Sequence, residues 1–481
     1  MAGSISSTGI GSGLDVNQIV TSLMTLEQRP LKLLQDHAST TQSQLSAYGS
    51  VTSQVSALGD VATRLSDAAN WKPLRVDSTD TTKVLGTVSA AAQAGNHVVQ
   101  VQQLAQGQAL ASTPYAQTST VVGTGTLTLA TGTTVGGVFT PGSAAPVVIT
   151  IGEGNKTLSG VRDAINAAQT GVTASIVTSG AGSQLVLRTA EGAASSVRLT
   201  VSDDDGNNTN SAGLSALAWD PAAAVGAGRN LSQTQAAQDA KFTLDSLDLT
   251  SATNSPQGLI DGLTLTFKQV TTGPVSVSVT TDTMVVQKNV NDFVNAYNSM
   301  NQLMRSQLKA ATNGAGSGGP LQADATALAV LTSLRTVLAT SVSGAGGLGG
   351  LNAAGIELQR DGSLKINSTR LTPLLSTPAK LSQLFSQPQS GSDTSSSGLA
   401  VRLRQWATAL TGSSGKLTGR SDGLQNTLTA IQRKEDDENN KLTRTEARLR
   451  AQYQNLDTVM GKLNAQLKQV TAAFTTTTNN A

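Results

Sequence analysis

The chain contains no cysteine, few charged residues and few aromatic ones, and each shortage excludes a class of protein. Without cysteine there are no disulfide bonds and no thiol chemistry. Charged residues make up 13% of the chain, against about 25% in an ordinary soluble protein, and aromatic residues only 3%, so any core has to be built from Leu, Val and Ile. The 33 basic and 31 acidic residues nearly balance, which gives no electrostatic footprint for nucleic acid.

The chain also lacks long apolar runs. No stretch of about 18 apolar residues is present, so we expect no membrane insertion. The first residues have no basic start, no apolar centre and no small-residue cleavage site, so we expect no cleaved general secretory signal. Export of such a chain requires a route that does not depend on that signal.

Residues with catalytic or metal-binding chemistry are scarce and scattered. The two histidines, His37 and His97, fall on a predicted helix and a predicted strand, and no cysteine is available to complete a zinc site. Gly344–Gly349 matches the letters of a dinucleotide-binding loop, but it follows a predicted helix rather than a strand, which favours a linker. Asp203–Asn207 resembles a calcium loop but lacks the ligands needed at the first and last positions, which favours a solvated turn. We therefore predict no enzyme activity, no cofactor and no metal.

The most pronounced pattern in the chain is a helical apolar stripe at each end. Near the C-terminus, apolar side chains recur every seven residues in two alternating positions, as in a helix that buries one narrow face against another helix. One position holds Leu442, Leu449, Leu456, Leu463 and Val470, and the other holds Tyr453, Met460, Leu467 and Phe474. The N-terminal stripe consists of Val16, Ile19, Val20, Leu23 and Leu26. Both stripes need a partner, and the periodicity fits a partner within the same chain as well as one in a neighbouring copy.

Between the two ends the sequence changes from helical to β-rich. Alternating apolar and polar residues predict strands from about residue 81 to residue 284, with one short helix over Leu158–Ala168. We predict an α+β multidomain protein in which the terminal helices form a coiled-coil or helical-bundle leg and β-rich head domains are inserted between them. The predicted domains are a terminal coiled-coil domain, a helical leg domain and two β-rich head domains, which comprise residues 1–45 with 432–481, 46–80 with 285–431, 81–115 with 235–284, and 116–234.

Four segments resemble one protein family. The terminal segments are Ile5–Val16, which reads ISSTGIGSGLDV, and Arg444–Tyr453, which reads RTEARLRAQY. The interior segments are Thr157–Asn166, similar to the motif of flagellin-type insert domains, and Ala240–Leu249. Together and in this order they resemble the bacterial flagellar filament-capping proteins, also called hook-associated protein 2 or FliD.

This resemblance implies a structural role at the tip of the bacterial flagellum. Members of the family are secreted through the flagellar type III pathway, are extracellular, and assemble as a ring of about five or six copies on the filament end. The ring promotes flagellin folding and polymerisation and prevents flagellin leakage. The implied partners are further copies of the chain, flagellin, the hook-filament junction proteins and an export chaperone at the C-terminal helix. Some members also bind mucin.

The resemblance further implies that the terminal helices form the interface with neighbouring copies and with the filament. The residues implied for this interface are Leu14, Val16, Ile19, Val20, Leu23, Leu449, Tyr453, Leu456, Met460, Leu463 and Leu467. Two other functions stay open from the sequence. One is another axial structural protein of the flagellum, either flagellin or a hook-filament junction protein. The other is a secreted mucin-type adhesin with a β-rich head.

Overall fold

The computed structural model describes residues 15–311, 318–390 and 394–478, with side chains up to residue 472 except that of residue 394. The implied interface residue Leu14 and the side chain of the stripe residue Phe474 lie outside this part of the chain. The described residues divide into a helical unit, which comprises those up to Lys72 and those from Thr283 onward, and a β-rich unit from Pro73 to Asp282. The predicted α+β class, with a β-rich middle inserted between helical ends, is confirmed.

Helices occupy both ends of the described chain and strands occupy its middle. The helices are α1 (Val16–Glu27), α2 (Arg29–Leu65), α3 (Leu158–Ala167), α4 (Thr283–Gln307), α5 (Ala325–Ala339), α6 (Ser368–Leu375), α7 (Ala379–Ser386), α8 (Leu399–Thr411) and α9 (Lys416–Thr478). The strands are β1 (Leu74–Ser78), β2 (Val84–Val88), β3 (Gly95–Gln103), β4 (Ala109–Ala111), β5 (Gly125–Val135), β6 (Val138–Pro141), β7 (Val147–Ile151), β8 (Val172–Ser179), β9 (Gly182–Thr189), β10 (Ser196–Asp203), β11 (Trp219–Val225), β12 (Ala227–Arg229), β13 (Ser232–Gln235), β14 (Ala240–Leu244), β15 (Leu247–Ser251), β16 (Leu263–Phe267), β17 (Val275–Thr281), β18 (Ile356–Leu358) and β19 (Leu364–Ile366).

The core of the helical unit is built on α2. This helix contributes fully buried side chains at alternating spacings of three and four residues, which place them on one face. They are Tyr48, Val51, Val55, Leu58, Ala62 and Leu65. Aromatic side chains from other segments complete the core: Trp71 stacks on Phe385 with ring centroids 4.8 Å apart, and Phe293 meets Phe385 edge-on at 5.2 Å.

The β-rich unit contains two cores. The first involves a five-stranded antiparallel sheet in the order β1-β17-β3-β14-β15 and the two-stranded ribbon of β2 and β16. The second is formed jointly by the sheet β12-β11-β10-β5-β6, in which β7 also pairs with β5, and by the sheet β13-β4-β9-β8. These two cores have no buried residue in common.

The short helix predicted within the β-rich region is confirmed as α3. Thr157 caps it, since its hydroxyl accepts a hydrogen bond from the Gly160 N–H at 3.2 Å. Leu158, Val161 and Ile165, spaced at three and four residues, are fully buried and pack into the second β core. The helical spacing of these three apolar residues was therefore a sufficient local signal for this element.

Candidate assembly surface at the terminal helices

The first helix begins and ends where its sequence dictates. The Asp15 carboxylate accepts a hydrogen bond from the Gln18 N–H at 2.9 Å and caps α1. After Glu27 the helix is interrupted at Gln28, and α2 starts with Pro30 in its first turn, a position where the missing proline N–H leaves no hydrogen bond unmade. The break separates a short terminal helix from the long helix that lines the core.

The helix α1 packs against residues 442–453 of α9, and we call these two segments the terminal pair. Their contact buries Val16, Val20, Met24 and Leu442, with Leu31, Leu449 and Tyr453 partly buried around them. At one end, the Arg450 guanidinium donates a hydrogen bond to the Asn17 side-chain oxygen at 3.0 Å.

The two segments of the terminal pair run in opposite directions. Asn17, near the start of α1, contacts Arg450. Tyr48, further along the chain in α2, contacts Arg420, whose guanidinium carbon lies 6.0 Å from the centroid of the tyrosine ring. As the residue number rises along α1 and α2, the number of the contacting residue in α9 therefore falls. Because α1 starts level with Arg450, the remainder of α9 extends past it.

The part of α9 that extends past its partner, residues 454–472, is termed here the bare segment. Its stripe side chains are about half exposed, at 45% for Leu456, 49% for Leu463, 56% for Leu467 and 52% for Val470, whereas Met460 is partly buried. At 1.5 Å per residue the bare segment is about 28 Å long. Of the two kinds of partner that the periodicity left open, the partner within the same chain covers the described stripe only as far as Tyr453, because α1 begins level with Arg450.

A second unburied stripe lies on α1. The terminal pair uses the face that carries Val16, Val20 and Met24, spaced four residues apart. The neighbouring face carries Ile19, which is partly buried, and Leu23 and Leu26, which are 37% and 55% exposed. The N-terminal stripe is therefore wider than its internal contact. We call Ile19, Leu23 and Leu26 the outer stripe.

The predicted interface residues thus fall into two groups. Val16, Val20, Leu449 and Tyr453 contribute to the terminal pair. The others within the described chain lie on the outer stripe or the bare segment, and they are Ile19, Leu23, Leu456, Met460, Leu463 and Leu467. Leu14 precedes the described residues.

A polar cluster links α2, α5 and α9, and sequence reasoning missed it. Tyr48 donates its hydroxyl hydrogen to the Asp324 carboxylate, which also accepts from the backbone N–H groups of Thr326 and Ala327 at 2.9 and 3.0 Å. The Arg420 guanidinium pairs with the same carboxylate at 2.9 Å. Asp324 directly precedes α5 and caps its N-terminus, and an aspartate at this position is a helix-start signal that the sequence contains.

Ionisation in this cluster follows from burial and hydrogen bonding. Burial, together with the hydrogen bond to Asp324 and the charge of that residue, raises the pKa of Tyr48 to about 12. Burial opposes ionisation of Asp324, but hydrogen bonds from Tyr48, the Ala327 N–H and Arg420 outweigh it and lower the pKa of this carboxyl. The cluster is therefore a neutral phenol and a carboxylate paired with a guanidinium at ordinary pH.

Two of the residues considered for metal or cofactor chemistry, Asp203 and His97, make contacts within the fold. Asp203 is buried rather than solvated, because its carboxylate accepts hydrogen bonds from the Ser215 N–H at 2.8 Å and the Ser215 hydroxyl at 3.1 Å. The prediction of a solvated turn is therefore wrong at its first residue. His37 is exposed on α2, and His97 in β3 lies 2.8 Å from the Asp245 carboxylate. Within the described ranges no group of His, Asp and Glu side chains could hold a metal ion.

None of the helices described is both long and apolar enough to cross a membrane.

Comparison with protein-family models identifies three matches along the chain. Residues 12–108 match the N-terminal model of flagellar hook-associated protein 2, and residues 237–465 match its C-terminal model. Residues 120–191, which include α3, match the flagellin hook IN motif.

Full-length relatives and a solved structure give the same assignment. The B-type flagellar hook-associated protein 2 of Pseudomonas aeruginosa is 30% identical, and the match covers 97% of this chain and 96% of that protein. The flagellar hook-associated protein 2 of Escherichia coli K12 is 29% identical over 99% of both chains. The crystal structure of the D1-D2-D3 domains of the flagellar cap protein FliD from Escherichia coli superposes with a TM-score of 0.59 at 27% identity, covering 79% of this chain and 99% of that one.

Proposed function

The chain belongs to the flagellar hook-associated protein 2 family and is a flagellar filament cap, and we propose that it caps through the bare segment and the outer stripe. The observation that carries this proposal is the unburied half of the α9 heptad. The family assignment favours the cap over flagellin, a junction protein or an adhesin. The family consists of structural proteins, and we extend this to the chain by proposing that it is no enzyme.

Exposed apolar stripes are suited to contacts that form after the chain has folded. Transfer of apolar surface out of water yields about 25 cal/mol per Å², so a stripe of Leu456, Leu463, Leu467 and Val470 gains free energy only when another surface covers it. We propose that the covering surfaces are neighbouring copies in a ring of about five or six and the flagellin or hook-filament junction end below it. On this proposal the ring promotes flagellin folding and polymerisation and holds flagellin back from the medium.

Four separate buried clusters support a division into four domains. One belongs to the terminal pair, one to the rest of the helical unit, and two to the β-rich unit. We propose the domains as residues 1–45 with 432–481, 46–80 with 285–431, 81–115 with 235–284, and 116–234. The terminal domain has by far the smallest cluster, which fits a domain that is completed by assembly.

The composition supports export of the unfolded chain through the flagellar type III pathway to the outside of the cell. Without cysteine, no disulfide has to form or break during passage. An exposed amphipathic C-terminal helix is also the kind of element that a groove-type chaperone binds. We therefore keep an export chaperone at α9 as part of the proposal. For mucin, the described residues offer no supporting observation, and we do not assign it.

The proposal is tested by placing charges on the bare segment. Leu456→Lys combined with Leu463→Lys should abolish capping, because two ammonium groups would enter the surface that must be covered. Thr458→Lys combined with Ala465→Lys is the matched control, since both pairs are seven residues apart and the second lies on the opposite side of the same helix. In a strain that lacks its own cap, the leucine variant should fail to restore swimming, and flagellin should accumulate in the medium. The control should restore swimming and prevent the loss of flagellin.

Two measurements decide the outcome. The circular dichroism spectra of the two variants should be the same, because all four substituted side chains are exposed and contribute little to the stability of the fold. If the leucine variant restores filaments as well as the control does, the bare segment is not the capping surface and the proposal is wrong.

A further inference from the structure

We propose that the helical unit binds a small oxyanion, with inorganic phosphate as the probe, at the N-terminus of α8 beside Arg402. The site lies apart from the terminal pair and the bare segment, so the inference goes beyond capping. Two independent features carry it. One is a helix that starts without a cap in the core, and the other is a buried guanidinium with too few acceptors.

The helix α8 begins within the core of the helical unit and has no side-chain cap. Its N-cap residue is Gly398, and no described side chain accepts a hydrogen bond from its first turn. The first hydrogen bond within the helix runs from the Arg402 N–H to the Gly398 carbonyl oxygen at 3.0 Å. The N–H groups of residues 399–401 therefore have no acceptor within the helix, although these residues are at most 7% exposed.

Close backbone packing explains why residue 398 does not supply this cap. A Cβ atom added at Gly398 would clash with the Phe385 carbonyl oxygen and lie 2.6 Å from the Gln387 nitrogen. The usual cap residues Asp, Asn, Ser and Thr all carry a Cβ atom, so none of them fits there unless that backbone moves. An acceptor for the first turn has to come from elsewhere.

The Arg402 side chain provides a second set of donors without enough acceptors. It is 7% exposed, and its Nη2 donates a hydrogen bond to the Thr340 carbonyl oxygen at 2.9 Å. Its Nε and Nη1 are buried without a hydrogen-bond partner. Burial lowers the pKa of this guanidinium, and no described carboxylate offsets the effect. Because arginine stays protonated in proteins, the buried charge persists and calls for a nearby anion.

The fold brings both sets of donors to the same end of α8. Side chains on a helix lean toward its N-terminus, so the side chain of Arg402 lies over the first turn. The acceptor of its one hydrogen bond, Thr340, belongs to a loop that reaches the same place. In that loop, the Ser343 carbonyl oxygen accepts from the Gln387 side-chain amide at 3.2 Å. The Gln387 carbonyl oxygen in turn accepts from the Gly398 N–H at 2.7 Å.

A small oxyanion fits this set of donors. Backbone N–H groups at a helix N-terminus and guanidinium groups are the donors that bind phosphate and similar anions in proteins. The positive end of the helix dipole adds to the attraction. An ion with several oxygens can accept hydrogen bonds from both sets, and its negative charge offsets that of Arg402. A cation would meet only donors at this end of the helix.

Phosphate should therefore stabilise the helical unit through Arg402. At a hundredfold excess over its Kd, phosphate should raise the Tm of this unit by about 5 °C relative to chloride at equal ionic strength. Arg402→Met should remove the shift. Arg404→Met is the matched control and should keep it, because Arg404 is exposed on the same helix. Equal shifts in all three proteins would overturn the proposal.

Hydrogen exchange on the unsubstituted full chain tests the site without any variant. Phosphate should slow exchange of the N–H groups of residues 399–401 at least tenfold more than that of Thr326 and Ala327. The latter two are the control, since the Asp324 carboxylate already caps them. If phosphate slows exchange equally at the two helix starts, or at neither, no anion binds at α8 and the proposal is wrong.

A carboxylate of the chain itself would offer the same chemistry as a free oxyanion. Asp393 precedes α8 in the sequence and lies outside the described residues. If Asp393→Asn lowers the Tm of the helical unit and phosphate has no effect on the unsubstituted chain, the chain supplies its own anion and the proposal is wrong. A phosphate response that persists in Asp393→Asn and is absent in Arg402→Met supports the free oxyanion.

Discussion

The terminal pair and the bare segment belong to one helix and one heptad repeat, yet they differ in burial. Leu442 is 7% exposed and Leu463 is 49% exposed, although they are three heptads apart in the same register. The difference arises from the length of α1, which covers residues 442–453 and ends there. A heptad therefore reports which side chains can be buried, and the length of the partner decides which of them are. On the proposed function, the exposed half of the stripe is the half that assembly covers.

The largest effect on stability should come from the core of the helical unit. Leu58→Ala removes a fully buried side chain and should lower the free energy of unfolding by about 2–5 kcal/mol. Leu463→Ala, the same chemical change on the bare segment, should change it by less than about 0.5 kcal/mol. Urea denaturation of the two variants measures both values. A loss for Leu463→Ala comparable to that for Leu58→Ala would mean that the bare segment is buried in the free chain.

The terminal pair should give an intermediate effect. Met24 is 6% exposed within a small cluster, so Met24→Ala should cost about 2 kcal/mol, the lower end for such a truncation. The loss should be local, because this cluster is separate from the core of the helical unit. Hydrogen exchange should therefore speed up in α1 and in residues 442–453 while α4 is unaffected. Equal acceleration in α4 would show that the terminal pair is part of the main core.

The Asp324 cluster sharpens the comparison because it gives the stability of the helical unit a pH dependence. The lowered pKa of Asp324 means that its ionised form stabilises the fold above the ordinary carboxyl pKa of about 3.9. This contribution is lost as the pH falls through the lowered value. Asp324→Asn should cost about 1.5 kcal/mol at pH 7, and the difference from the unsubstituted protein should shrink below about pH 4. A difference that stays constant down to pH 2 would contradict the assigned ionisation.

The smallest effect should come from the exposed hydrogen bond at the end of the terminal pair. The Arg450 side chain is 45% exposed, so Arg450→Ala should lower the free energy of unfolding by about 0.5 kcal/mol or less. Lys462→Ala, which removes an exposed side chain of the bare segment, is the control. Thermal melts of the two variants should agree within a few degrees. A large separate loss for Arg450→Ala would give this residue a role beyond the one described.

Local patterns predicted local structure well. The face formed by Leu158, Val161 and Ile165 located α3, and the terminal stripes located α1 and α9. The alternation of apolar and polar residues located the β-rich region between about residues 81 and 284, which contains β2 to β17. In each case the signal lies within about a dozen residues, where side-chain period and burial coincide.

Long-range features could not be read from the sequence. Tyr48 and Asp324 are 276 positions apart, and β3 pairs with β14 and β17, which follow it by well over a hundred residues. The burial of Asp203 depends on Ser215, which only the fold of the intervening loop brings near. The end of the heptad burial at Tyr453 depends on where α1 starts, which is a property of the antiparallel pair and not of the heptad itself.

The central claim is that one helix is covered in its first part by the chain itself and in its last part by the proteins it assembles with. Hydrogen exchange along α9, in the free chain and in capped filaments, tests this directly. We predict that assembly slows exchange in residues 454–472 at least tenfold and leaves residues 416–450 unchanged. If exchange in residues 454–472 is the same in the free chain and in the capped filament, the bare segment is not an assembly surface.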